Sequence, residues 1–179
     1  MPATGDPPLE EMVAIIDDAG SVVGSAPRSR MRGENLPHLV VAVLVRDPAG
    51  RVYVQRRTDT KDVFPGCHDC WVAGCVSADE DPEHAAVREL GEELGITGVE
   101  LRPMFRQWYA DPHTRHLALT WTVTWDGPVV HQPEEVAWGA WMSLAELEQR
   151  MGDPAWPFVP DGRALFETWR AQGQDSTLP

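Results

Sequence analysis

A chain of 179 residues with 42% hydrophobic side chains and eight tryptophans can bury one sizeable core, which excludes a wholly disordered protein. Its 28 acidic against 15 basic residues leave a net charge of -13, which argues against duplex nucleic acid as a partner because phosphate contacts need Lys and Arg. No apolar run approaches the roughly 20 residues that cross a bilayer, and the start "MPATGDPPLEE" is neither basic nor apolar, so no secretory leader and no membrane partner is expected and the location is read as cytoplasmic.

Residues 1–10 are rich in Pro and Gly and are expected to be frayed. Residues 11–36 read as an N-terminal hairpin and connector: Met12–Ile16, a turn at "DDAG", Ser21–Ser25, then the basic "RSRMRGENLP" as a short helical turn or loop. One domain is expected over 37–172, with 173–179 as a tail. It opens with "HLVVAVLV", apolar on both faces and so a central strand, followed by the turn "RDPAG" and the strand "RVYVQRR". "TDTKDVFPGCHDC" is a loop bent at Pro65-Gly66, and "WVAGCV" is a short strand.

A helix follows over Glu83–Leu94, with Asp81 as cap, Pro82 in the first position and Gly95 as stop. "MFRQWYA" and "HLALTWTVTW" are strands joined by "DPHTR". In the second, Leu117, Leu119, Trp121, Val123 and Trp125 alternate with Ala118 and threonines, which predicts a half-buried strand. Ser143 and Glu146 have capping-box spacing, and a last amphipathic helix covers about Asp161 to Ala171, with Leu165, Phe166 and Trp169 on its apolar side. Strands on both sides of the main helix predict an α/β sandwich around a mixed sheet.

The main helix carries the chemistry. With Glu89 at zero on a helical wheel, Glu93 falls at about +40° and Glu92 at about -60°, while Val87, Leu90 and Leu94 fall between about 100° and 160°. Three carboxylates therefore share one face. Like charges at this spacing repel by roughly 0.2–0.5 kcal/mol per pair in water, and more when half-buried. A hard divalent cation removes that repulsion; a solvated acidic face is the competing account.

The surrounding residues, "GCVSADEDPEHAAVRELGEELGI" from Gly74 to Ile96, resemble the Nudix box with every defining position filled, about nine positions over 23 residues. The resemblance implies a Nudix-type α/β/α sandwich, the N-terminal hairpin being an extension to it. It also implies a Mg²⁺-dependent hydrolase, with Mn²⁺ as a substitute, that attacks a diphosphate linkage in a phosphorylated small molecule of the nucleoside diphosphate-X type. By position it makes Glu89, Glu92 and Glu93 metal ligands together with the Gly74 carbonyl, and gives Glu80 and Arg88 structural roles, Arg88 orienting the helix carboxylates. The general base is left between Glu93, Glu92 and the loop glutamates Glu134 and Glu135. Family members often form homodimers, and the hairpin is a candidate contact.

Similarity also extends over about Val13 to Ser143 to a subgroup related to isopentenyl diphosphate isomerase and to bacterial Nudix hydrolases of unassigned substrate. Arg56, Arg57 and Lys61 are then candidate diphosphate contacts, exposed basic side chains being the competing account. The isomerase places a cysteine and three histidines where this chain has Ala73 and, in turn, Met31, His38 and Cys75, so hydrolysis is favoured over isomerisation. A non-catalytic nucleotide sensor is a third reading; such domains typically lose box carboxylates, and here they are intact.

Four soft ligands crowd "CHDCWVAGC": Cys67, His68, Cys70 and Cys75. Structural zinc favours two separated ligand pairs, so these read instead as small, partly buried residues. Trp71, Trp108 and Tyr109 are candidate base-stacking residues, with core packing preferred for each. His38 reads as a satisfied strand-start residue, His113 and His116 as solvent-exposed, and Asp69 as a loop hydrogen-bond acceptor. The threonine face of 118–124 is expected to line a pocket or to face solvent.

Overall fold

The computed structural model describes residues 10–173. The segments expected to be a frayed start and a tail lie outside these, apart from Glu10 and Gly173. The strand β3 (His38–Arg46) is the spine of a nine-stranded mixed sheet. It runs antiparallel to β6 (Trp71–Cys75), with Val41 opposite Gly74, and parallel to β8 (Arg115–Thr124), with His38 opposite His116. Burial on both faces explains its unbroken apolar run: Val41, Val43 and Val45 point into one core layer and Ala42 and Leu44 into the other.

The β1 (Met12–Ile16) and β2 (Val22–Pro27) hairpin forms as expected, its second strand starting one residue later and ending two residues later than read. β1 also pairs with β3 at Ile15–His38, so the hairpin continues the sheet. The basic connector is helix α1 (Arg28–Gly33). β4 (Val52–Arg57) pairs along its length with β9 (Val136–Met142) and briefly with β5 (His68–Asp69), two strands that periodicity did not show. β7 (Arg102–Ala110) pairs with β8.

Helix α2 (Pro82–Leu94) covers one face of the sheet through Ala85, Ala86, Leu90 and Leu94. Complete burial of each leucine stabilises the layer by about 1.5–3 kcal/mol. Helices α3 (Leu144–Met151) and α4 (Pro160–Gln172) cover the other face with Leu147, Met151, Leu165, Phe166 and Trp169. The result is the expected α/β/α sandwich. α3 starts at the expected Ser143 cap, whose hydroxyl accepts the Glu146 amide at 3.2 Å.

One strand departs from its reading. β8 is buried on both faces, since Ala118, Thr120 and Thr122 are as sequestered as Leu117 and Val123. Thr120 and Thr122 neither line a pocket nor meet solvent, whereas Thr124 at the strand end is exposed. Thr120 Oγ1 donates to the Phe105 carbonyl at 2.6 Å and accepts the Phe105 amide at 3.0 Å, and Thr122 Oγ1 donates to the Leu44 carbonyl at 3.0 Å. With its hydroxyl satisfied by backbone, a threonine is tolerated in a core layer.

Candidate active site

Helix α2 begins where Asp81 accepts the Glu83 and His84 amides, at 2.9 and 3.3 Å. It ends at Gly95, whose φ of +67° suits glycine. The buried Ala85, Ala86, Leu90 and Leu94 fix its rotation, and that rotation grades the three carboxylates. Glu93 is 4% exposed, the Glu89 side chain 14% and the Glu92 side chain 51%. The order matches the wheel, on which Glu93 lies nearest the apolar face and Glu92 farthest.

Arg88 organises this face. It clasps Glu80 in a two-pronged pair, Nε to Oε1 at 2.9 Å and Nη2 to Oε2 at 3.1 Å. Its remaining nitrogen, Nη1, reaches Glu89 Oε1 at 2.7 Å and Glu92 Oε2 at 3.3 Å. Glu80 is anchored by the Ser77 amide at 3.1 Å. Hydrogen bonding to Glu80 raises the Arg88 pKa, and the reciprocal bond holds Glu80 below the usual carboxylate range. At Glu89 burial dominates over Arg88 and pushes the carboxyl up.

Glu93 is the more perturbed group. Burial lifts its pKa to about 7, against the hydrogen bond from Gln55 and with the help of Glu89. Gln55 Nε2 donates to Glu93 Oε2 at 2.7 Å and to the Trp71 carbonyl at 3.3 Å. Gln55 is itself buried, and Glu93 Oε1 is left without a hydrogen bond in a residue that lines the cleft. Sequence reading passed over Gln55. The signal was present: in "VYVQRR", Tyr53, Gln55 and Arg57 share one face of a strand.

The cleft above α2 has a volume of about 360 Å³ and holds Gly74, Glu89, Glu92, Glu93, Lys61 and Glu135 among its walls. A methyl group on Gly74 would collide with the Glu89 carboxyl, so only glycine lets strand and carboxylate meet there. Lys61 and Glu135 form an ion pair across the cleft, and burial lowers the lysine pKa. Glu134 is exposed, and its carbonyl accepts from Thr58 Oγ1 at 3.0 Å.

Arg56 and Arg57, adjacent on β4, are separated by the pleat. Arg57 lines a second, smaller pocket that adjoins the cleft, with its guanidinium donating to the Val63 carbonyl at 3.0 and 3.1 Å. Arg56 lines neither; it pairs with Asp59 at 2.6 Å.

His116 is buried rather than solvent-exposed, because α4 closes over the start of β8; it lies 3.6 Å from Asp161, while His113 is exposed. His38 is satisfied at Nδ1, 2.9 Å from the Leu36 carbonyl. Asp69 accepts the Trp71 amide at 3.1 Å, as a loop acceptor would, but it is fully buried and its carboxyl is raised well above the usual range by that burial and by Asp161. Trp71 is core. Trp108 is 39% exposed and Tyr109 stacks on His116, so core packing holds only for the first of the three aromatics.

Cys70 and Cys75 are buried, and burial raises both thiols, which disfavours the thiolate that zinc requires. His68 stacks on Trp156 at 3.9 Å. Among the described residues no three His, Cys, Asp or Glu side chains converge on a metal position. On α2 this is because Glu89 and Glu92 lean onto Arg88 and Glu93 onto Gln55. The donor set nonetheless suits a hard cation: all oxygen, on one helix face, with two carboxyls held in partial or full burial beside each other.

The fold and site together define an α/β/α protein with a carboxylate-lined cleft over one helix. The sequence model of the NUDIX domain matches residues 36–162. The chain is 44% identical over 177 residues to the uncharacterized Nudix hydrolase orf19 of Rhodococcus erythropolis, covering 92% of this chain and 95% of the relative. It is 33% identical over 159 residues to the uncharacterized Nudix hydrolase YfcD of Escherichia coli K12, covering 89% and 86%. In fold it is similar to DR0079 from Deinococcus radiodurans, with a TM-score of 0.75 at 23% identity over 89% of this chain and all of that one. It is also similar to the NUDIX domain of Shewanella oneidensis NrtR, a structure with ADP ribose, with a TM-score of 0.60 at 19% identity over 75% and 86%. This chain belongs to the Nudix hydrolase family.

Proposed function

We propose that this hydrolase uses Mg²⁺, or Mn²⁺ in its place, to cleave the diphosphate linkage of a nucleoside diphosphate-X type small molecule with water. One observation carries the reading: the buried Glu93, with Glu89 and Glu92 one turn or less away, lines the same cleft as Gly74 and Lys61. Glu89, Glu92 and the Gly74 carbonyl are the groups that would hold the cation, with Glu93 beside them as the base. When bound, it offsets the charge of the diphosphate oxygens and makes water a better nucleophile.

The protein's own groups supply the rest. Arg88 keeps Glu89 and Glu92 on the cleft side of α2, and Glu80 keeps Arg88 in place. Gln55 fixes Glu93 Oε2, which leaves Oε1 to take the proton from the attacking water; a carboxyl near pH 7 suits a general base at neutral pH. Lys61 and Arg57 bind the departing phosphate. Glu135, paired with Lys61 across the same cleft, is the second carboxylate placed to take that proton.

The test is a panel of nucleotide sugars, dinucleoside polyphosphates, oxidised nucleoside triphosphates and prenyl diphosphates with Mg²⁺ or Mn²⁺. Wild-type protein is expected to release a phosphate-bearing product from at least one compound. Glu93→Gln and Glu89→Gln are each expected to lower kcat by about 10²–10⁴-fold. Absence of any metal-dependent product across the panel defeats the reading, and prenyl isomerisation lost on Glu92→Gln replaces it with the isomerase.

A further inference from the structure

The pocket adjoining the cleft is built as a second compartment. It shares Arg28, Lys61, Ala73 and Gly74 with the cleft but lies on the α4 side of β6, and its volume is about 90 Å³ against about 360 Å³. Pockets for whole drug-sized ligands run to about 300–1,000 Å³, so this one suits a compact group and not a nucleoside.

Its floor holds hydrogen-bonding capacity that the fold leaves unused. His38 is 3% exposed, and its Nδ1 faces the Leu36 carbonyl. A carbonyl only accepts, so Nδ1 carries the proton and Nε2 presents a lone pair. Asp69, 4% exposed, accepts one amide through Oδ1 and, among the described residues, has no hydrogen bond at Oδ2. Asp161 Oδ1 is buried without a partner. Three polar atoms thus line one pocket without a hydrogen bond among the described residues: His38 Nε2 as an acceptor, and two carboxyls that burial raises and that can donate as well as accept. Burial keeps His38 and His116 neutral, with pKa values of about 4, so neither ring adds a positive charge to the pocket at neutral pH.

The rim has the opposite character. Arg28, Arg32, Arg57 and Lys61 stand at the mouth. Three are paired, with Glu11, Asp62 and Glu135, whereas Arg57 is held by a backbone carbonyl and keeps its charge without a carboxylate. Cations at the mouth attract the phosphate end of a ligand and oppose an ammonium group passing inward. Hydroxyls donate without that charge.

We propose that this pocket receives the X group of the substrate and selects a compact, hydroxyl-rich one, read by His38 Nε2, Asp69 and Asp161 while Arg57 holds the adjoining phosphate. The inference rests on the diphosphate-cleaving reading of the neighbouring cleft and names the specificity of its far side.

Ribose 5-diphosphate, pentyl diphosphate and 5-aminopentyl diphosphate share a phosphate end and chain length and differ in their donors. Wild-type enzyme is expected to prefer the ribosyl compound over the pentyl one by about tenfold or more in kcat/KM. In Asp161→Leu and in the isosteric Asp69→Asn that ratio is expected to shrink by about tenfold. A readout that needs no turnover runs beside it. In metal-free protein, ribose 5-phosphate should shift the His38 and His116 ring resonances, and pentyl phosphate should leave them in place.

No ribosyl preference, a preference for the amine, or a ratio unchanged in both variants overturns the inference even if the enzyme is active. Ring shifts with ribose 5-phosphate in a protein that cleaves nothing keep the pocket and defeat only the hydrolytic reading. Inactivity with no ring shifts defeats both.

Discussion

The cleft over α2 and the pocket beneath α4 share the strand wall of Ala73 and Gly74 yet differ in how they hold polar groups. In the cleft, burial raises Glu89 and Glu93, but every carboxylate also meets a donor: Arg88 for Glu80, Glu89 and Glu92, and Gln55 for Glu93. In the pocket, residues from β3, β5, β8 and α4 meet, and charge is suppressed by burial, which keeps two histidines neutral and raises two aspartates. The lesson is that clustered acids remain useful as anions only where the fold supplies donors. Where it supplies burial instead, the same residue types become uncharged hydrogen-bonding groups.

Three experiments press on this contrast. The largest effect is expected from Gly74→Ala, which drives a methyl group into the Glu89 carboxyl at the shared wall. Displacement of a positioned group by about 1 Å can remove about 100-fold in rate, and the overpacking destabilises by about 1–3 kcal/mol. Steady-state kinetics and a urea midpoint measure the two separately. A fully active Gly74→Ala would show that the contact does not position Glu89.

Gln55→Leu is expected to act through Glu93. The hydrogen bond from Gln55 favours the charged carboxylate, so its loss pushes the Glu93 pKa further above about 7. The ascending limb of the pH–rate profile should move about one unit to higher pH, lowering the rate at pH 7 by about fivefold. Rate lost equally at every pH would assign Gln55 to packing alone.

The smallest effect belongs to the pocket histidines. Both have folded-state pKa values of about 4, below the ordinary 6.5, so the unfolded chain takes up protons first as pH falls. Their neutral burial is therefore compatible with full stability above about pH 6.5, and stability drains away as pH falls toward 4. His116→Asn should flatten the acid limb of stability by about 1 kcal/mol near pH 5.5, read from urea melts at several pH values. An unchanged slope would mean that His116 is not held neutral.

Local chemistry made the cleft legible. Asp81, Pro82 and Gly95 marked the bounds of α2, and a period of 3.6 placed Glu89, Glu92 and Glu93 on one side. The bound strands β3 and β6 and the caps of α2 and α3 were likewise carried by neighbours in sequence. Three features were not. Thr120 and Thr122 of β8 read as part of a wet face because alternation reports polarity, and cannot show that Phe105 and Leu44 carbonyls take up their hydroxyls. Arg56 and Arg57 read as equals because both are basic, although adjacent strand residues must face opposite ways. His116 read as solvent-exposed because nothing near it in sequence reveals that α4 closes over it.

Sequence by itself determined the carboxylate helix, its caps and its family resemblance, since each depends on contacts within a few residues along the chain. Only the tertiary structure decided which carboxylate is buried deepest against a donor, which arginine reaches the site, and that a second pocket exists. Those depend on strands and helices distant in sequence being pressed together, where loss of water, rather than residue type, sets whether a side chain is charged, satisfied or left with bonds to offer.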